Sequence, residues 1–268
     1  MAATHRRNTA RALTMPAVAD SRAPVMSMAA EVRAAIGCLT PWRQPVLAAT
    51  PAALAGGLAF YPAVGLALGA VAAGTAHAVA AVQPLLAGAA GVLALEALSG
   101  GRPRRALAGT AGAFVHPGAP AVVIERLRAT PKPAGWIVAV AALVAKIVAV
   151  TALPAPARTV ALLVAPMLGR WAIVVLCYGG APTYARGTAA ALVGRARFRE
   201  FGAASVTAFA VTLSLADAVG LLLVVTAALA TVGLRLWVYR RIGGLTGRLL
   251  VGAGEVVETM VVALLALL

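Results

Sequence analysis

Long apolar segments dominate this chain, and they limit it to one broad class of fold. Of its 268 residues, 62% are hydrophobic, and the mean hydropathy is +0.92. In an average soluble domain roughly half of the residues are apolar. A β-barrel would alternate apolar and polar residues in segments of ~10 residues, whereas the apolar segments here are unbroken. The sequence therefore predicts an all-α, polytopic helical membrane protein.

The apolar segments predict about seven transmembrane helices. One segment, 203–238, is too long for a single crossing at ~1.5 Å per residue, so we interpret it as two helices that meet near Asp217–Gly220. Region 100–134 is interpreted as a polar loop, and a short amphipathic helix is expected within 28–48, upstream of the first span. The predicted spans cover 50–82, 84–99, 135–153, 157–178, 203–238 (two helices) and 249–268.

The charge pattern predicts the orientation of these helices. The net charge is +15, with 23 lysines and arginines against 8 acidic residues. In a soluble protein this excess would suggest nucleic acid, but here the arginines cluster between apolar segments, as in cytoplasmic loops beside anionic lipid. We therefore expect a multi-pass cell-membrane protein in contact with a lipid bilayer and with no nucleic-acid partner. Placing the basic regions inside makes the N-terminus and the functional face cytoplasmic.

The first 27 residues differ from the rest of the chain. They are basic and contain no coherent apolar run, so they do not resemble a signal peptide. We expect residues 1–27 to be a disordered cytoplasmic arm or a leader from a wrongly assigned start codon, with Met26 or Met28 as the true start. Residues 28–268 are predicted to form a single transmembrane domain. Cys38 and Cys177 are isolated, so we expect neither a disulfide framework nor a cysteine metal site.

Charged side chains inside apolar segments are costly and therefore indicate function. Lys146 lies well inside its segment, which favours a functional role or an internal partner. Arg170 follows Pro166 and Gly169, which are expected to loosen the helix around it. A buried arginine at this place suits a phosphate or carboxylate ligand.

A glycine-rich turn near the C-terminus joins two apolar segments. Gly243, Gly244 and Gly247 allow positive φ and close approach of a ligand to the backbone. Glu255 and Glu258 follow on one helix face, where acidic groups are expensive and suggest function. The alternative is a polar loop whose glutamates cap a helix or pair with arginines.

Four motifs occur in an order that resembles one known family. They are FYPAVGL at 60–66, LGRWA at 168–172, YARG at 184–187 and GGLTG at 243–247. From the residues alone, the third motif is equally well interpreted as an interfacial anchor. Together the motifs resemble the cobalamin-5'-phosphate synthase family, also called adenosylcobinamide-GDP ribazoletransferase.

The resemblance implies a function and a set of site residues. The family joins adenosylcobinamide-GDP to α-ribazole or its phosphate and releases GMP, as a Mg²⁺-dependent enzyme of the cell inner membrane. Its substrates are phosphorylated corrinoids and nucleosides. The arginines would clamp phosphates, the turn would approach them with its backbone, and a glutamate would supply the remaining carboxylate. We predict Lys146, Arg170, Arg186, Arg241, Gly243, Gly244, Thr246 and Gly247 as substrate-binding residues and Glu255 and Glu258 as catalytic residues.

The chain departs from the family where acidic residues are expected. The family carries a run like H-L-D-G-L-A-D-T-A-D-G, and its aspartate positions here hold Arg105, Gly109 and Gly112. The aspartate of a second run is replaced by Ala129, and that after Thr-Gly by Arg248. Mg²⁺ prefers hard oxygen ligands. We therefore assign no metal ligand. A bound Mg²⁺ ion is expected only because the resemblance implies one.

Three alternatives remain open at this level. The chain is an active transferase of altered chemistry, a catalytically impaired relative that binds a corrinoid, a nucleotide or a partner enzyme, or a small transporter. The residue chemistry favours the impaired relative, and the resemblance favours the transferase. Glycine- and alanine-rich helix faces are also compatible with a homodimer.

Overall fold

The computed structural model of the protein describes residues 28–41, 49–185 and 187–268. Over these residues the chain is a bundle of α-helices, and its one β-type pairing is an isolated bridge between Pro182 and Leu245. The predicted all-α membrane fold is confirmed. The predictions for residues 1–27 and for Arg186 lie outside the described residues.

The helices are numbered in chain order. Short 3-10 turns at Leu58–Phe60 and Pro84–Leu86 lead into the third and fourth helices. The helices are α1 (Met28–Leu39), α2 (Pro51–Gly57), α3 (Tyr61–Ala80), α4 (Ala87–Leu98), α5 (Arg102–Phe114), α6 (Pro120–Arg128), α7 (Pro133–Ala152), α8 (Ala155–Cys177), α9 (Thr188–Leu192), α10 (Phe198–Ile242) and α11 (Gly247–Leu267).

The prediction of a loop over 100–134 is wrong, because α5 and α6 form there. Pro103 and Pro120 lie in the first turns of these helices, where the fixed φ of proline favours a helix start. Each helix buries one apolar face, with Leu107 in α5 and Val123 and Leu127 in α6. Many arginines on the other faces lowered the hydropathy, which hid both helices from a search for apolar segments.

Helix α8 lies at the centre of the bundle and crosses two neighbours closely. A methyl group on Gly65 of α3 would come within 2.6 Å of the Pro166 carbonyl oxygen of α8. A methyl group on Gly169 of α8 would come within 2.7 Å of the Gly254 carbonyl oxygen of α11. Small residues permit such close backbone approach in membrane bundles. The second crossing brings Arg170 beside the acidic face of α11.

Helix α10 turns back on itself in the middle. Asp217 has φ 45° and ψ −128°, which breaks the helical backbone. Phe201 before the break stacks on Tyr178, and Arg235 after it donates a hydrogen bond to the Tyr178 carbonyl at 2.8 Å. In a straight helix Phe201 and Arg235 would be roughly 50 Å apart. The prediction of two helices that meet near Asp217 is therefore confirmed.

Five helical segments of the described chain are long and apolar enough to cross a membrane. They are 51–80, α7, α8, α10 and α11. The pair formed by 84–98 and α5 is bent by 83° and gives a sixth candidate if it counts as one span. The predicted seven spans are reached only if α10 provides two spans and the bent pair provides one. This count and the cytoplasmic N-terminus remain predictions.

The basic connections meet at one end of the bundle. Arg248, at the start of α11, donates a hydrogen bond to the carbonyl oxygen of Ala129 at 2.7 Å. The Tyr184 hydroxyl donates to the Ile124 carbonyl at 3.0 Å. These contacts join the connections before α7, after α8 and after α10. All three therefore share one end, as the alternation of basic and neutral connections predicts.

Candidate functional site

Charged side chains from four helices meet inside the bundle, and we call this group the ionic cluster. Lys146 Nζ lies 2.5 Å from Glu255 Oε1, 3.0 Å from Glu258 Oε1 and 4.0 Å from Glu96 Oε1. Arg170 Nη1 donates a hydrogen bond to Glu258 Oε2. All five residues are less than a tenth exposed. The structure thus brings together the charged residues that the sequence singled out in three separate apolar segments, and adds Glu96.

The charges of the ionic cluster nearly balance. Three carboxylates face two cations, and a third cation stands at the edge, where Arg104 Nε lies 3.6 Å from Glu96 Oε2. Buried charges are tolerated when they are paired and hydrogen-bonded, and are very costly when a partner is missing. The expected internal partner of Lys146 is therefore present. The ion pairs of the cluster connect α4, α7, α8 and α11 inside the bundle.

The two glutamates of α11 have different surroundings. Both oxygens of Glu258 are engaged, one by Lys146 and the other by Arg170. Glu255 uses one oxygen for Lys146, whereas its Oε2 is buried and has no hydrogen-bond partner among the described residues. Glu255 also lines a cavity of about 30 Å³ together with Arg170 and Arg102. This volume is enough for a water molecule, so Glu255 is the more available carboxylate.

Three cavities lie in series between Glu255 and the basic end of the bundle, and we call them the basic cleft. The small cavity beside Glu255 is followed by cavities of about 240 and 340 Å³. All three share Arg102 and Val251 in their walls, and Gly247 lines the two larger ones. Walls that carry arginines attract anionic ligands such as phosphates. The outermost cavity is lined by Arg102, Arg105, Ala106, Pro131, Gly247, Arg248 and Val251.

A larger groove of about 1200 Å³ lies elsewhere, between α7 and α11. Its walls are apolar, with Ile137, Val144 and Val148 strongly exposed. Such a surface suits lipid tails rather than a charged substrate. The basic cleft is therefore the candidate site.

The glycine-rich turn positions the start of α11 at the basic cleft. Only Gly243 among its glycines has a positive φ, of 72°, where it ends α10. Gly244 packs against Thr183, and the Thr246 hydroxyl caps α11 by accepting a hydrogen bond from a backbone N–H. Gly247 alone of these residues lines the cleft. Of the four predicted turn residues, Gly243, Gly244 and Thr246 thus shape the turn, and Gly247 lines the candidate site.

The predicted arginines are distributed unevenly around the basic cleft. Arg170 lines its inner end. Arg241 is exposed in the last turn of α10 and lines none of the three cavities, so its predicted phosphate contact has no geometric support. Arg102, Arg105 and Arg248 line the cleft but are not among the site residues predicted from the sequence. In the sequence, Arg105 and Arg248 were noted only because they replace expected aspartates. The signal that could have identified them as site residues is their positive charge.

Replacing Gly243 by alanine is expected to destabilise the turn by about 1–2 kcal/mol, because an L-residue strains in the left-handed region. The matched control is Gly233→Ala, in the exposed part of α10. An added methyl group meets nothing within 4 Å at either position, so the two variants differ mainly in backbone conformation. The check is thermal unfolding in detergent, and equal midpoints for the two variants would contradict the prediction. Gly233→Ala should unfold at or above the wild-type midpoint, because alanine favours a helix.

Comparison with known proteins identifies the family. The model of the family described as Cobalamin-5-phosphate synthase matches residues 31–267. The chain belongs to this family. Over 216 residues it is 29% identical to the adenosylcobinamide-GDP ribazoletransferase of Desulforamulus reducens, covering 80% of this chain and 87% of that protein. No solved structure shows a significant match.

The residues of this cobalamin-5-phosphate synthase relative do not fit the magnesium ion that the resemblance implies. No three His, Cys, Asp or Glu side chains of the described residues are placed to hold a metal ion. The carboxylates of Glu255 and Glu258 already face Lys146 and Arg170. At the basic end, the Arg248 guanidinium lies where a side chain of residue 109 would project.

Proposed function

We propose that the chain joins adenosylcobinamide-GDP to α-ribazole or its phosphate and releases GMP. The observation that carries this proposal is the basic cleft, which leads from three arginines at one end of the bundle to Glu255. Family membership supports the same reaction. In that reaction a ribazole hydroxyl oxygen bonds to the phosphorus on the cobinamide side. The bond to the GMP oxygen breaks, and the hydroxyl proton is lost.

The arginines of the outer cavity would bind the diphosphate. Guanidinium groups recognise phosphate oxygens with two parallel hydrogen bonds and keep their charge at all physiological pH values. Gly247, in the same wall, lets the phosphates approach the backbone at the start of α11. Donors placed in advance stabilise the charge that develops on the leaving phosphate. Arg186 stays a proposed phosphate ligand from its motif.

Glu255 would accept the proton of the attacking hydroxyl. An arginine cannot do so, because guanidinium stays protonated. Glu258 is fully engaged in ion pairs, whereas Glu255 lines the inner cavity and has one oxygen without a partner among the described residues. The cavity beside Glu255 holds only about a water molecule, so the proton would reach the carboxylate through water or after a small widening.

The cleft would open to the cytoplasm from the cell inner membrane. Basic connections are retained in the cytoplasm, and the three that meet at the cleft carry most of the arginines that lie between the predicted membrane spans. The outer cavity of about 340 Å³ suits a diphosphate with part of a nucleoside, so the corrin ring would lie outside it at the membrane surface. A homodimer through small-residue faces stays a prediction.

The test is release of GMP by the purified full chain in detergent. With adenosylcobinamide-GDP and α-ribazole phosphate, GMP and cobalamin phosphate should form in equal amounts, measured by chromatography. Arg102→Gln should slow the reaction by at least tenfold because a phosphate ligand is lost. The matched control, Arg241→Gln, removes an arginine outside the cleft and should react like wild type. Absence of GMP under all conditions would refute the transferase proposal.

A second candidate is a relative that binds these ligands without catalysis. It is favoured by one specific observation, the neutral and basic residues at the family's acidic positions, here Arg105, Gly109, Gly112, Ala129 and Arg248. Nucleotide binding without GMP release would support it. Uptake of the corrinoid into sealed vesicles would instead support the third alternative, a transporter.

A further inference from the structure

We infer that Arg248 is a built-in cation that takes the place of a divalent metal ion, so that the basic cleft binds a diphosphate without metal. The inference rests on the proposed function for its ligand, a diphosphate ester. It goes beyond that function in assigning the cation. The magnesium ion that the resemblance implies would not lead one to expect it.

Three segments that are distant in the sequence converge at Arg248. Helix α5, the end of α6 and the start of α11 each carry a position at which the resemblance described above implies an aspartate. In the fold these segments touch at Arg248. Its Nη1 donates to the Ala129 carbonyl at 2.7 Å, and the Thr110 hydroxyl of α5 donates to the Arg248 carbonyl at 3.4 Å. The replaced positions therefore lie together in space and not only in the sequence pattern.

The side chain of Arg248 occupies the space beside Gly109. A methyl group built on Gly109 would come within 2.7 Å of Arg248 Nε and 2.8 Å of Nη1. The guanidinium thus fills the volume that a carboxylate at position 109 would use. A residue with a side chain at 109 would displace Arg248 from Ala129. The absence of a side chain at Gly109 thus leaves room for the side chain of Arg248.

The outer cavity is lined by positively charged side chains. Arg248 shares the outer cavity with Arg102 and Arg105, and no carboxylate is among the described residues that line it. A guanidinium has five N–H donors, so the bond from Arg248 to Ala129 leaves donors for phosphate oxygens. A metal ion in such a site neutralises the phosphates and holds them in place. Three arginines supply both effects through the protein itself.

The first test measures binding of inorganic pyrophosphate to the full chain in detergent by calorimetry. Binding should persist in EDTA, and Arg248→Gln should weaken it at least tenfold in EDTA. The matched control is Arg241→Gln, the same substitution at an exposed arginine outside the cleft, which should leave the affinity unchanged. Binding that is lost in EDTA and restored by Mg²⁺ would overturn the inference. So would equal affinities of the two variants, or no pyrophosphate binding in either condition.

The second test restores the acidic set. The triple variant Gly109→Asp, Ala129→Asp and Arg248→Asp should bind Mn²⁺, detected by electron paramagnetic resonance, whereas wild type should not. The control carries asparagine at the same three positions, with equal bulk and no charge. Mn²⁺ bound by wild type as tightly as by the aspartate variant would overturn the inference. If the triple variants do not fold, the Arg248→Gln comparison decides by itself.

The outcomes separate this inference from the proposed function. Pyrophosphate binding in EDTA without GMP release would support the built-in cation and refute the transferase. GMP release that requires Mg²⁺, with binding abolished by EDTA, would support the transferase and refute the built-in cation. GMP release at an undiminished rate in EDTA would support both.

Discussion

Replacing Lys146 by methionine is expected to lower the free energy of unfolding by about 3–5 kcal/mol, the typical cost of removing one partner from a buried ion pair. Methionine has a similar length and no charge, so packing is nearly preserved. The carboxylates of Glu255 and Glu258 would then face each other in the interior without the cation that now touches both. Thermal or denaturant unfolding in detergent, followed by circular dichroism, measures the loss.

Two further variants give this experiment its controls. Arg241→Met removes an exposed cation and should change stability by no more than about 0.5 kcal/mol. Lys146→Met combined with Glu255→Gln removes one charge of each sign and should recover part of the loss, because fewer buried charges remain unpaired. If Lys146→Met is as stable as Arg241→Met, the ionic cluster does not hold the bundle together.

Changing Glu255 to glutamine is expected to lower kcat by about 10²-fold or more, the usual contribution of a positioned general base. Glutamine can still accept a hydrogen bond from Lys146 but cannot take a proton from the attacking hydroxyl. The KM for adenosylcobinamide-GDP should change little, because Arg105 and Arg248, which would bind the diphosphate, line only the outermost cavity and not the one beside Glu255. Steady-state GMP release gives both quantities.

Glu258→Gln is the matched comparison, since it makes the same change one helical turn away. Its main effect should be on stability, because Glu258 bridges Lys146 and Arg170 and both would lose a charged partner. A kcat for Glu255→Gln within twofold of wild type would remove Glu255 from the mechanism. A larger loss of kcat in folded Glu258→Gln than in Glu255→Gln would reverse the two roles.

The sequence predicted the parts of the fold that depend on hydropathy. Helices α7, α8 and α11 begin and end within about two residues of the predicted spans, because a bilayer demands unbroken apolar segments. The reversal at Asp217 followed from length alone. Helices α5 and α6 were missed because their signal is an amphipathic face. When hydropathy is averaged over the region, the arginines outweigh the few apolar residues of that face.

The residues at the inner end of the candidate site were predictable from the sequence, whereas those at its basic end were not. Lys146, Arg170, Glu255 and Glu258 stood out because charge is rare in apolar segments. Arg248 and its partner Ala129 lie 119 residues apart in polar surroundings, and no periodicity links them. Their contact depends on how the end of α6 lies against the start of α11. A single sequence cannot show that packing.

The separation of Lys146 from its carboxylate partners also has a consequence for how the protein is made. Lys146 and Glu258 are 112 residues apart, so the lysine leaves the ribosome well before the glutamate that pairs with it. Of the carboxylates that the described residues place near Lys146, Glu96 is the one that does not belong to α11, so until α11 enters the bilayer the ammonium group lacks its two nearest partners. A nascent chain stopped short of α11 would keep that group uncompensated, and α7 would be held less firmly in the lipid. Completion of biogenesis is thus coupled to the arrival of the last helix.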